Sequence, residues 1–61
     1  MNEAQRTKLQ AIADQLSDQI ETLNRIMNEL KPDNWERGAV TSVLRFAEEA
    51  EDYIQELLNP E

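Results

Sequence analysis

The sequence contains neither cysteine nor histidine. Without cysteine there are no disulfides and no thiolate chemistry, and without histidine the commonest zinc ligand and the base of nucleophilic triads are missing. Di-iron bundles built on Glu-x-x-His pairs are excluded for the same reason. Glycine occurs once, proline twice and aromatic residues three times, within a composition that is 39% hydrophobic and 31% charged. That profile belongs to a helix-rich, soluble chain, too apolar to remain disordered. No apolar run approaches the roughly 18 to 20 residues that a membrane span requires. The opening MNEAQRTK is polar and offers no signal peptide, so a cytoplasmic location is expected.

A chain of 61 residues makes one small domain, 1–61, that buries little of its surface alone. Small scaffolds compensate with disulfides, a metal or a second subunit. With the first closed and no metal-ligand set in view, oligomerisation is the expected remedy. Bases are also scarce where they would matter for nucleic acid. The net charge is −7, and residues 46–61 hold six acids and no base, while the seven acids of residues 1–45 nearly balance against six bases. Such a distribution argues against general affinity for nucleic acid or an anionic membrane.

What the sequence has is a leucine every seventh residue: Leu9, Leu16, Leu23 and Leu30. Ala13, Ile20 and Met27 follow four residues after the first three, giving the alternating three-and-four spacing of helices that pack lengthwise. One helix is predicted over about residues 2–30, on the order of 40 Å long. Pro32 lacks an amide hydrogen and disfavours a helical conformation at Lys31, so the turn falls at 31–34. Asp33 followed by Glu36 has the form of a capping box, which starts a second helix at about Asn34. Gly38 is its weak point, and marks either a kink or close contact with another backbone. The helix is expected to stop at Leu58 or Asn59, before Pro60. Val40, Val43, Ala47, Ala50, Ile54 and Leu57 repeat the packing pattern and predict an antiparallel hairpin. Leu9 then faces Ile54, Ala13 faces Ala50, Leu16 faces Ala47, Ile20 faces Val43 and Leu23 faces Val40.

The fold expected is therefore all-α, two long helices in a hairpin. Ile12, Ile26, Leu44, Phe46, Tyr53 and Leu58 lie beyond that seam. Each large apolar side chain is worth roughly 1.5–3 kcal/mol when buried, so these six predict a second interface, most simply a homodimer forming a four-helix bundle. Trp35, directly after the turn, is expected to plug the end of the bundle against Leu30 or Ile26.

The acidic run Glu48, Glu49, Glu51, Asp52, with Glu56 beyond it, is the one cluster with catalytic-looking residues. Carboxylate pairs at this spacing on bundle helices hold Mg²⁺ in some nucleotide pyrophosphohydrolases. Helix 1 supplies no matching pair, and no glycine-rich loop or basic pocket would hold the substrate phosphates that complete the magnesium shell. A solvated acidic face is the expectation, with no catalytic, metal or cofactor-binding residue. These acids oppose the macrodipole at the end of helix 2. Arg6, Lys8 and the terminal amine would compensate them within the hairpin, or a basic protein partner would.

In length and expected architecture the chain resembles Rop-type plasmid regulators, which are dimers of helical hairpins. The resemblance concerns fold only and carries no residues across. It implies RNA binding as an alternative, for which Arg6, Gln10, Gln15 and Arg25 offer a sparse stripe. The function expected first is a non-enzymatic protein–protein interaction module, a regulator, adaptor or inhibitor working as a helical dimer. A Rop-like RNA binder comes second and a magnesium-dependent nucleotide hydrolase third.

Overall fold

Two helices account for nearly all of the described chain. The computed structural model describes residues 1–59, with α1 over Glu3–Glu29 and α2 over Trp35–Leu58. They pack against each other as an antiparallel hairpin with extents of 46 × 18 × 13 Å. The first helix starts where Asn2 caps it: its side chain accepts from the Gln5 amide at 2.8 Å, and the Gln5 side chain accepts from the Asn2 amide at 3.0 Å. This reciprocal pair satisfies two amides that would otherwise lack intrahelical partners.

The connection is a β-turn. The Asn34 amide donates to the Lys31 carbonyl at 3.0 Å, and Pro32 occupies the turn's second position, where its fixed φ is favourable. That geometry places Asp33 inside the turn and moves the cap to Asn34, whose side chain accepts from the Glu36 amide at 2.9 Å. The expected Asp33–Glu36 capping box is thus replaced by an Asn34 cap. Gly38 produces no kink: α2 runs through it, and a Cβ built there would meet nothing within 4 Å. Asn59 ends α2 by donating its amide to the Gln55 carbonyl at 2.9 Å. The stop expected from Pro60 lies outside the described residues.

On α1 the seam is the leucine line and its companion: Leu9, Ala13, Leu16, Ile20, Leu23, Met27 and Leu30 are all buried or half-buried. On α2 the seam is Val40, Leu44, Ala47, Glu51, Ile54 and Leu58. Leu44 and Leu58 are 7% and 9% exposed, so both belong to the hairpin and not to a second interface. Val43, Ala50 and Leu57, expected in the seam, are exposed. Relative to expectation α2 is turned by about 50°, half the step between successive residues. Burying Leu44 in place of Val43 brings a larger side chain into contact, and branched leucine at 58 replaces the same residue type at 57. The same turn replaces Ala50 with Glu51, whose Oε2 is buried without a hydrogen-bond partner among the described residues.

Candidate functional site

Each helix end is completed by an arginine from the other helix. Neither helix carries a basic residue in its own last turn. The Arg6 guanidinium donates to the Leu58 carbonyl at the end of α2, and Arg37 Nη1 donates to the Leu30 carbonyl at the end of α1, at 3.3 Å. Carbonyls at helix C-termini lack intrahelical donors and sit at the negative end of the dipole. The two arginines therefore supply both a hydrogen bond and a compensating charge. Arg6 is also committed by this contact, and Gln10 Nε2 donates to Asp14 at 3.1 Å. The sparse stripe of the RNA-binding alternative loses its first member to the hairpin.

The contact of Arg6 with Leu58 also joins the start of α1 to the end of α2. Two turns inward from it on the two helices lie Ala13 and Glu51, both on seam positions. Ala13 is the most buried of the described residues. Glu51 thus leaves the acidic surface, on which Glu48, Glu49, Asp52 and Glu56 remain exposed. Among the described residues no group of three or more acids is placed to hold a metal ion. Two shallow depressions among the described residues measure about 250 Å³ beside Arg6 and Leu58 and about 320 Å³ along Glu21 and Arg25.

The feature with most exposed apolar surface is the outer side of α2. Its sequence carries adjacent apolar pairs: Ala39-Val40, Val43-Leu44, Phe46-Ala47, Tyr53-Ile54 and Leu57-Leu58. In every pair the second residue enters the seam and the first stays exposed. The exposed members, with Ala50, form the line Ala39, Val43, Phe46, Ala50, Tyr53 and Leu57. They are spaced four, three, four, three and four residues apart, the pattern by which a helix receives another helix. Phe46 and Tyr53 are 69% and 66% exposed. Trp35, four residues before Ala39, is 80% exposed; it does not plug the end of the hairpin, because its position on α2 continues the exposed line and not the seam.

No family model, curated protein or solved structure matches this chain.

Ile12 and Ile26 are exposed as well. In an antiparallel pair of right-handed helices, the residue just before each seam position lies on the same side of the hairpin in both. Ile12 precedes Ala13 and Ile26 precedes Met27, so both lie on the side that carries Phe46 and Tyr53. The two rings alone leave on the order of 200–300 Å² uncovered. With Val43 and Leu57 added, the patch reaches the size that marks an interaction surface in a soluble protein. Of the residues expected to form a second interface, the hairpin brings Ile12, Ile26, Phe46 and Tyr53 to one face and withdraws Leu44 and Leu58 into the seam. The adjacent-pair pattern is the signal that separates the two stripes, and it adds Val43 and Leu57 to the surface. Among the described residues no helix is long and apolar enough to cross a membrane.

Proposed function

We propose that this protein is a small acidic, non-enzymatic interaction module, a regulator, adaptor or inhibitor that works as a homodimer of helical hairpins. The observation that carries the reading is the unbroken apolar line from Ala39 to Leu57 on the outside of α2. Leaving Phe46, Tyr53, Val43 and Leu57 in water would forfeit several kcal/mol of burial in a chain that has no disulfide to offset the loss. A second hairpin laid on this face makes a four-helix bundle in which every contact occurs twice. Glu48, Glu49, Asp52 and Glu56 then stay at the surface, suited to a protein partner with basic groups.

Sedimentation of the full chain across a micromolar concentration series tests the dimer. A mass twice that of the chain, and a melting temperature that rises with concentration, are the expected results. A folded monomer with exposed rings would instead assign the same face to a different protein.

A further inference from the structure

We infer that the dimer is formed by α2 lying antiparallel against its own copy, with Phe46 seated on Ala50 of the partner subunit, Val43 on the partner's Tyr53 and Leu57 on the partner's Ala39. The inference rests on the dimer reading above and specifies its geometry.

Three observations lead to it. The first is which helix offers a matching surface. On the face shared with Phe46, the line on α1 reads Lys8, Ile12, Gln15, Gln19, Thr22, Ile26 and Glu29, mostly polar. The line on α2 reads Ala39, Val43, Phe46, Ala50, Tyr53 and Leu57, apolar throughout. An apolar helix face is covered best by another apolar face, so α2 meets α2 and not α1 of the partner.

The second is size. In an antiparallel pair with the two-fold axis level with Glu48, all six residues of the line are used, and each layer combines a smaller with a larger side chain: alanine with leucine, valine with tyrosine, phenylalanine with alanine. Such alternation lets facing side chains interdigitate without voids. Sliding one helix by a heptad leaves Leu57 or Ala39 beyond the overlap and sets Ala50 against alanine or tyrosine. Two copies of this surface with their flanking stems bury on the order of 1,000 Å², at the lower bound of a specific interface.

The third is charge. Arg45, Glu49, Asp52 and Glu56 are exposed and border the line on the side away from α1. In the antiparallel pair Arg45 falls level with residue 51 of the partner subunit, between the partner's Glu49 and the partner's Asp52. Glu49 meets its own copy at the axis, flanked there by both arginines. A parallel pair would carry this flank to opposite sides of the interface in the two copies, so that Arg45 faces neither the partner's Glu49 nor the partner's Asp52 and the pairing of opposite charges is lost.

The chain has no cysteine, so single cysteines can be introduced for nitroxide labels at Ser42 or Glu49, both exposed and outside the apolar line. Dipolar distances are measured within the dimer of each full-length variant. With a rise of 1.5 Å per residue and helix axes about 8–10 Å apart, the Glu49→Cys labels are expected roughly 10–15 Å apart and the Ser42→Cys labels at least about 20 Å apart. Nearly equal, intermediate distances at both positions would mean a parallel pair and overturn the inference. A short distance at 42 with a longer one at 49 would mean a different register, and long distances at both would place the partner's α1 against α2. Each of these leaves the dimer standing. Only a monomer mass, with no dipolar coupling at either site, would remove the dimer reading itself.

Discussion

Asn34 shows how a single residue sets the direction of the chain after the turn. Asp33 and Asn34 are both competent caps, and the glutamate three residues after Asp33 favours that residue in the sequence. Once Pro32 fixes the second position of a β-turn, however, Asp33 belongs to the turn and Asn34 is the first residue free to cap. Asn34→Ala is therefore expected to destabilise the protein by about 0.5–2 kcal/mol, and Asp33→Ala by less than about 0.5 kcal/mol, in urea unfolding. Reversed magnitudes would return the cap to Asp33. Glu51 makes the opposite contribution, since its Oε2 is buried in the seam without a hydrogen-bond partner among the described residues. Replacing a carboxylate in that position by an apolar group of similar length removes a desolvation penalty of about 1–3 kcal/mol, so Glu51→Leu is expected to raise the melting temperature. A lower melting temperature would mean that the carboxylate has a partner in solution. Of Arg6 and Arg37, each closing the end of the other helix, only Arg6 was legible, as a charge near the end of α2. Their bonds to backbone carbonyls depend on the register of the hairpin, which single residues do not reveal.

At the scale of the helix, the seam of α1 was readable because all its large apolar residues except Ile12 and Ile26 form one stripe, and every member of the leucine line and its companion lies in the seam. The second helix is harder because it carries two stripes side by side. A line drawn through Val43, Ala50 and Leu57 takes residues from the outer stripe, whereas the fold takes Leu44, Glu51 and Leu58. The pairs of adjacent apolar residues hold the information, but choosing between them requires knowing that burial of two leucines outweighs the cost of Glu51 in the seam. The rotation has a direct test. Leu44→Ala is expected to destabilise by about 2–5 kcal/mol and Val43→Ala by less than about 1.5 kcal/mol, compared by urea unfolding. Equal losses would mean that α2 faces α1 through the other member of each pair. Gly38 gives a second test of the element. It is helical, and a Cβ there meets nothing within 4 Å, so Gly38→Ala is expected to stabilise by about 0.5–1 kcal/mol. Destabilisation would indicate that another backbone approaches that position.

The whole molecule is a slender hairpin, 46 Å long and 13 Å in its thinnest direction, and so narrow a body has little interior. Among the described residues only Ala13, Leu44 and Leu58 are buried, which is a small core for a chain without disulfides. The exposed line on α2 and the two isoleucines of α1 share one side, the side on which the proposed dimer places a second hairpin. The shortage of interior was legible from size and composition, whereas the surface proposed for a second subunit became visible only after α2 had been turned into place. Sedimentation equilibrium of the unmodified chain at micromolar concentration, set beside the Phe46→Ser, Tyr53→Ser double variant, tests this most directly. The unmodified chain is expected at twice its 7.1 kDa mass, and the double variant as a poorly helical monomer. A well-folded, fully helical 7.1 kDa monomer of the unmodified chain, melting at a temperature independent of concentration, would contradict the account.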